Sequence, residues 1–97
     1  RTAQGRLDEA LDDHTTVLRK RLRLFGPAHP QTTSSLCAVA GVEARKGNHR
    51  RSLQHLARAV DSGYSDADSL LSDSDFASLR DDPIFTELVA RARSNAS

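Results

Sequence analysis

The fold is decided by a stretch containing Gly and Pro that joins two similar segments: Gly26-Pro27-Ala28-His29-Pro30-Gln31-Thr32. The segment before this stretch begins G-R-L-D-E-A-L at residues 5–11, and the segment after it begins G-N-H-R-R-S-L at residues 47–53. The two initial glycines are 42 residues apart, and at the same offset Leu11 corresponds to Leu53. Internal repeats of this length are typical of stacked helical units.

The composition favours an all-α fold with a small core. The chain has 97 residues, enough for one domain, and 37% of them are apolar but only 4% aromatic. The core must therefore come from Leu, Val and Ala, which suits helices packed closely through small side chains. No stretch shows the alternation that is typical of a strand.

Charge, cysteine content and hydropathy exclude several classes of protein. The net charge of +1 gives no overall attraction to nucleic acid or anionic lipid, although residues 1–60 carry a net +6 and residues 61–97 a net −5. The single cysteine, Cys37, excludes an internal disulfide and allows a reducing compartment. No apolar run is long enough for a membrane span or a signal sequence, so a cytoplasmic location is expected.

Because the chain opens at Arg1 rather than Met, it is expected to be part of a longer protein.

Gly and Pro divide the first two thirds of the chain into three expected helices. Gly5 is expected to end a helical remnant at residues 1–4, and the first full helix then covers residues 7–25. The second begins at His29-Pro30, since Pro is well tolerated at the first helical position. The third begins after Asn48, the expected N-cap, and ends at residue 61. The apolar residues of the second and third helices are expected to face the core: Leu36, Val39, Ala40, Val42, Leu53, Leu56, Ala57 and Val60.

Residues 63–97, called the C-terminal cap below, are expected to form short helices that close the core. Three positions precede apolar residues as N-caps do: Asp66 (or Ser65), the stretch Asp73-Ser74-Asp75, and Asp82. Capping explains them better than a calcium loop, because no Gly and closing Glu follow in register. Four apolar residues of the cap are expected to pack on the third helix: Phe76, Leu79, Phe85 and Leu88. The tail Arg93–Ser97 is expected to fray.

Residues 5–62 resemble tetratricopeptide repeats of the kinesin-light-chain-like kind. In that family helices A and B alternate, and helix B opens with Gly, an aromatic residue or Leu, acidic residues and Ala-Leu, matched here by residues 5–11. Its loop motif, leucine-glycine-proline-aspartate-histidine-proline, is matched by residues 25–30, and the long period of 42 residues by an extension at residues 20–28. The resemblance implies an all-α solenoid fragment, with one incomplete and one complete repeat in residues 1–62. The cap then resembles the helical ending of such arrays.

The resemblance also implies a partner-binding groove on the second helix. The positions carried over from the family are Ser34, Cys37, Ala38, Gly41, Ala44 and Arg45. The family usually has paired asparagines, which bind an extended peptide, where this chain has Cys37-Ala38. This departure counts against backbone-directed peptide binding by the repeat. A second departure is Ser52, where the family usually has Ala.

Histidines and the cysteine give no pattern of a catalytic or metal site. The histidines, His14, His29, His49 and His55, have no ligand spacing with Cys37 or a carboxylate cluster, so no metal and no cofactor are expected. His14 is expected to pack within its helix and His29 to belong to the loop motif. Cys37 as a nucleophile would need a base and an electropositive pocket, and a small packed residue is the favoured interpretation.

One basic run is a candidate for binding nucleic acid or acidic lipid: Arg19, Lys20, Arg21 and Arg23. A charged face on a long exposed helix is the favoured interpretation, because no aromatic residues alternate with these cations for base stacking.

The function implied is a non-catalytic protein–protein interaction module, at the C-terminal end of a larger scaffold or regulatory protein, with a protein or peptide partner. Two alternatives remain. The chain could be a passive appendage of an N-terminal kinase, ATPase or protease, or it could bind nucleic acid weakly through residues 19–23. Self-association is also expected, because Leu7, Leu11 and Leu18 would form an exposed apolar face without a preceding helix.

Overall fold

The computed structural model describes residues 3–96, with side chains from residue 5 onward, and shows helices throughout that range. The elements are α1 (Ala3–Phe25), α2 (Pro30–Arg45), α3 (His49–Asp61), α4 (Ala67–Ser72), a 3₁₀ helix (Ser74–Leu79) and α5 (Pro83–Ala96). No strand occurs among these residues, so the all-α prediction is confirmed. Arg1, Thr2 and Ser97, which belong to the expected remnant and the expected frayed tail, lie outside the described residues.

The first helix differs from its prediction at the N-terminus. It begins at Ala3 and runs through Gly5 without interruption, so the expected break at this residue is wrong. A helical glycine costs only about 1 kcal/mol relative to Ala, which the rest of a 23-residue helix can tolerate. Gly47, the counterpart of Gly5 in the repeat, instead has a φ of +86° and lies in a turn. The two glycines match in sequence and differ in backbone conformation.

The loop between α1 and α2 is held by its own side chains. Gly26 ends α1 with a φ of +81°, a conformation that a residue with a Cβ rarely adopts. His29 is the N-cap of α2, where its Nδ1 accepts a hydrogen bond of 3.1 Å from the backbone N–H of Gln31. Its ring stacks on Phe25 with centroids 4.4 Å apart. The loop motif thus fixes the angle at which α2 returns along α1.

The second turn closes on backbone hydrogen bonds. The N–H of Asn48 donates to the carbonyl of Glu43 at 2.8 Å, and that of Gly47 to Ala44 at 3.1 Å. Asn48 precedes α3 as expected, but its side chain makes no capping hydrogen bond. Asn48 is therefore the N-cap residue of α3, as predicted, and its backbone carbonyl accepts a hydrogen bond of 3.0 Å from the N–H of Ser52.

The core lies on both sides of α2, which packs on α1 and α3. One cluster joins Leu18 of α1 to Leu36 and Val39 of α2 and to Ala59 of α3. The larger cluster joins α2 and α3 to the cap: Ala40, Ala44, Leu53, Leu56, Val60, Ala67, Leu70, Phe76, Leu79, Phe85, Leu88, Val89 and Ala92. The predicted core residues are buried except Ala57, which is half-buried, and the fully buried residue of that turn is Ala59.

Two elements of the cap cover the core at two different helices. The 3₁₀ helix lies mainly on α2, whereas α5 lies on α3. Phe76 and Phe85 meet between them with ring centroids 5.9 Å apart. The expected packing of the cap with the third helix is confirmed, since Phe76, Leu79, Phe85 and Leu88 share one buried cluster with Leu53, Leu56 and Val60, and the 3₁₀ helix also contacts α2.

Acidic residues cap the short helices as predicted. Asp66 accepts a hydrogen bond from the N–H of Ser69 at 3.1 Å, and Asp73 one from Asp75 at 2.9 Å. Asp82 accepts from the N–H of Ile84 at 2.8 Å. Each carboxylate satisfies a backbone donor that the helix itself cannot satisfy.

The end of the chain is docked, against the prediction that it frays. Helix α5 continues to Ala96, and the Asn95 amide donates hydrogen bonds of 2.9 Å to the carbonyls of both Val60 and Tyr64. Arg91 forms an ion pair with Asp61 on the same side. These contacts tie the last turn of α5 to the end of α3.

Candidate functional site

The groove face expected on α2 is largely occupied by the C-terminal cap. A Cβ built on Gly41 would lie 2.9 Å from Oδ2 of Asp75, so the 3₁₀ helix sits directly over this glycine. Arg45 Nε lies 3.6 Å from Asp75 Oδ1. The chain's own carboxylate thus takes the middle of the expected groove.

A cleft of about 220 Å³ remains between the first turns of α2 and the cap. It is lined by Ser34, Cys37, Ala38, Tyr64, Ser69, Leu70, Asp73, Asp75 and Phe76. We call it the α2–cap cleft. Its floor is the α2 surface at Cys37 and Ala38. Its opposite wall consists of cap residues that no sequence motif marked as a binding site.

The structure separates the six expected groove residues into three groups. Ser34, Cys37 and Ala38 come together in the α2–cap cleft. Gly41 and Arg45 lie beside Asp75. Ala44 is only 3% exposed and belongs to the core, so its assignment to the groove is wrong. The cause is that Ala44 faces the α3–cap core rather than the concave side of α2.

Burial raises the pKa values of three side chains of the cleft. It favours the neutral forms of Cys37 and Tyr64 and disfavours the charge of Asp75. Burial raises the pKa of the Cys37 thiol to about 12, although a hydrogen bond from Tyr64 lowers it. Burial likewise raises the pKa of Tyr64 to about 12. The pKa of Asp75 is raised by burial and by repulsion from Asp73, while Arg45 lowers it. The cleft therefore has a neutral floor and an acidic rim on which negative charge is only partly compensated.

A second, more apolar cleft of about 390 Å³ lies between α3 and the start of α5. Its lining consists of His49, Arg50, Leu53, Gln54, Ala57, Asp82 and Ile84. We call it the α3–α5 cleft. Ile84 at its edge is 54% exposed. The sequence did not indicate this cleft, because it forms only when the first turn of α5 meets α3.

The histidines have structural surroundings or lie on the surface. His14 is exposed, so its expected packing role is wrong: it lies to one side of the α1 residues that face α2. His55 Nδ1 lies 3.2 Å from Oε2 of Glu43, whose carboxylate is otherwise buried between α2 and α3. Among the described residues no group of histidine, cysteine or acidic side chains could hold a metal ion.

One cation of the basic run of α1 stabilises the fold, and the other three are exposed on the surface. Arg21 Nη1 donates hydrogen bonds to Ser35 Oγ at 2.9 Å and to the Gln31 carbonyl at 3.1 Å. It therefore ties α1 to α2, and its assignment to a free basic patch is wrong. The other three cations of the run, Arg19, Lys20 and Arg23, are exposed.

The exposed apolar face that was expected on α1 is partly covered. Leu18 is 5% exposed, so its predicted exposure is wrong; it packs against Leu36, Val39 and Ala59. Leu7 and Leu11 are half-buried. The exposed large apolar residues of α1 are instead Val17, Leu24 and Phe25.

Comparison with known proteins identifies the family to which residues 1–62 are similar. Over the part of the chain that the structure describes, no helix is both long and apolar enough to cross a bilayer. No curated protein and no solved structure matches the chain. The family model of the tetratricopeptide repeat matches residues 1–62, which include α1, α2 and α3. The kinesin-light-chain-like character of the period stays a prediction. With its helical hairpins and this match over more than half its length, the chain belongs to the tetratricopeptide repeat family.

Proposed function

We propose that this chain is a non-catalytic peptide-binding module of a scaffold or regulatory protein, and that the α2–cap cleft is its binding site. Tetratricopeptide repeats generally mediate protein–protein interaction, and their family is generally non-catalytic. The observation that carries the proposal is the convergence of Ser34, Cys37 and Ala38 on one concave surface. We also propose that residues 1–62 supply the repeat units and residues 63–97 the cap that completes the site.

The chemistry of the cleft favours a short peptide segment carrying Lys or Arg. Asp73 and Asp75 line the cleft, and Arg45 Nε lies 3.6 Å from Asp75 Oδ1. A ligand cation between the two carboxylates would relieve their mutual repulsion. Because Asp75 covers Gly41, the peptide would contact the first half of α2 only. This mode differs from an extended peptide held by paired asparagines along the whole helix.

Selection of peptides on the immobilised chain tests the proposal. Sequences enriched in Lys or Arg should bind, and Ala38→Arg should weaken binding at least about tenfold by filling the cleft and placing a cation in it. Ala90→Arg, which makes the same substitution on the exposed side of α5, is the matched control and should leave binding unchanged. Thermal unfolding of both variants checks that the fold is retained.

Two outcomes would overturn this site. If no peptide is enriched, the chain is not a binding module. If the selected peptides bind the Ala38→Arg variant normally and lose binding with Ile84→Asp, the site is the α3–α5 cleft instead.

A screen for hydrolase activity tests the proposal that the chain is non-catalytic. Turnover that disappears with Cys37→Ala would contradict it.

Binding of nucleic acid through residues 19–23 is the less favoured function. Arg21 is already engaged by Ser35 and Gln31, which leaves three exposed cations on that stretch of α1. A function of this kind would show a steep dependence of affinity on salt concentration.

A further inference from the structure

An apolar line on α1 is only partly covered by the rest of the described chain. Ala10, Val17 and Leu24 recur every seven residues, which places them nearly above one another on a helix. Val17 is 39% and Leu24 73% exposed, and Ala10 is half-buried. The side of α1 that packs on α2 carries Leu11, Leu18 and Leu22 instead. The line therefore forms a second apolar face, which we call the α1 outer line.

Opposite charges stand beside this line at the same spacing. Asp13 and Lys20 are exposed, seven residues apart, and lie on one flank of the line because each precedes a line residue by four positions. More widely, the acidic residues of α1 lie in its first half (Asp8, Glu9, Asp12 and Asp13) and three exposed cations in its second (Arg19, Lys20 and Arg23), whereas Arg21 is held by Ser35 and Asp8 pairs with Lys46. The helix is thus complementary in charge to an antiparallel copy of itself.

We propose that two copies of this chain associate through the α1 outer line, with their α1 helices antiparallel about a two-fold axis at Val17. In this arrangement the small Ala10 of each copy faces the large Leu24 of the other. Asp13 of each copy faces Lys20 of the other, so the symmetric contact contains the ion pair twice. A parallel pair would not bring Asp13 and Lys20 together, because the same flank of the two helices would then lie on opposite sides of the contact.

The contact is small, so the association is weak and depends on concentration. One helix face buries less than the roughly 1,200 Å² below which protein–protein contacts are typically transient. Its charged flank is exposed, and added salt therefore weakens it. This arrangement differs from a head-to-tail contact between the basic half of one chain and the acidic cap of another, because it uses α1 on both sides.

Sedimentation of the whole chain over a range of concentrations tests the association. The weight-average mass should rise from that of the 10.6 kDa monomer towards twice that value. Val17→Asp buries a carboxylate at the symmetry axis in both copies and should weaken dimerisation at least about tenfold. Leu71→Asp is the matched control, since Leu71 is 38% exposed against 39% for Val17, and it should leave association unchanged. A strict monomer at every concentration would overturn the proposal, as would dimerisation that is insensitive to Val17→Asp.

Charge exchange tests the antiparallel geometry. Asp13→Lys and Lys20→Asp should each weaken self-association, because each creates like-charge contacts across the axis. A mixture of the two single variants should associate as a heterodimer, and the double variant Asp13→Lys/Lys20→Asp should recover most of the original affinity. Unfolding midpoints of the exposed-site variants verify that all remain folded. If neither the mixture nor the double variant recovers association, the helices do not pair in this geometry.

Discussion

The carboxylate of Asp75 lies where a side chain at Gly41 would otherwise stand, with Oδ2 2.9 Å from the Cβ position of residue 41. The absence of a side chain on α2 is what lets the 3₁₀ helix of the cap approach. Gly41 is buried although nothing in the interior of a helix requires glycine. The residue therefore serves the docking of the cap rather than the conformation of α2.

Gly41→Ala should reveal this contact through its dependence on Asp75. In the Asp75→Ala background the substitution should stabilise the chain by about 1 kcal/mol, the usual gain of helix propensity. In the original chain the new methyl must displace the carboxylate, and the gain should disappear. Denaturant unfolding of the two single variants and the double variant gives the coupling free energy, expected to be at least about 0.5 kcal/mol. Equal effects of Gly41→Ala in both backgrounds would mean that Asp75 is free to move aside.

Stability should depend on pH through Asp75. Burial and Asp73 raise its folded pKa above the unfolded value, so its contribution is favourable in acid, where the group is protonated, and is lost as pH rises through the folded pKa. Asp75→Asn should therefore raise the thermal midpoint at pH 7 and have little effect near pH 3.5, below the ordinary value of about 4. Asp81→Asn removes a charge from an exposed site of the same segment and is the control. A midpoint lowered at pH 7 by Asp75→Asn would show that the Arg45 pair outweighs burial.

The thiol of Cys37 should react slowly with alkylating reagents. Its pKa, raised to about 12 by burial, leaves little thiolate at pH 8, and the thiolate is the reactive form. We expect a rate at least about tenfold below that of a free small-molecule thiol. Tyr64→Phe removes a hydrogen bond that lowers this pKa and should slow the reaction further. Reaction in denaturant at the ordinary rate is the control; a fast reaction of the folded chain would place Cys37 in solvent.

Local signals in the sequence were sufficient for most of the fold. Helix ends at Gly26 and Gly47 follow from single residues that adopt positive φ, and the Asp caps follow from side chains that satisfy nearby backbone donors. Gly5 shows the limit, because the same residue type can lie inside a helix at a small cost.

The site depended on contacts between segments distant in sequence, which local patterns do not encode. Tyr64 and Asp75 reach the α2–cap cleft only because of how the cap packs. Asn95 looks like part of a polar, fraying tail, and only its hydrogen bonds to Val60 and Tyr64 make it structural. Leu18 likewise looked exposed because its cover comes from two other helices.

Ser52 should contribute to stability as a buried link between α2 and α3. Its side chain is fully buried, and its hydroxyl donates a 2.7 Å hydrogen bond to the Ala40 carbonyl. Ser52→Ala should cost about 1 kcal/mol in the free energy of unfolding. Ser72→Ala removes a similar hydroxyl bond, to the Asp68 carbonyl at 2.8 Å, from an exposed site and should have a smaller effect. Equal losses from the two substitutions would argue against a special role for the buried link.

Truncation of Phe85 should be the most damaging of the changes considered. The side chain is 1% exposed and belongs to the cluster that joins the cap to α2 and α3. Phe85→Ala removes the ring that meets Phe76 and leaves a cavity, a change that typically costs about 3–5 kcal/mol. Domains of ordinary stability have only about 5–15 kcal/mol in total, and this one is small. Loss of cooperative thermal unfolding, or a midpoint lowered by tens of degrees, is the expected result.

Ile84→Ala is the control for this prediction, because it shows whether any truncation in the first turn of α5 lowers the thermal midpoint. Ile84 is the neighbour of Phe85 in the same first turn, but it is 54% exposed and points to the α3–α5 cleft. Its truncation should change the midpoint by only a few degrees, since little apolar surface is uncovered. If Phe85→Ala were equally mild, the cap would not share a cooperative core with the repeats. The α2–cap cleft would then lose its second wall, because the 3₁₀ helix is held against α2 by the same cluster.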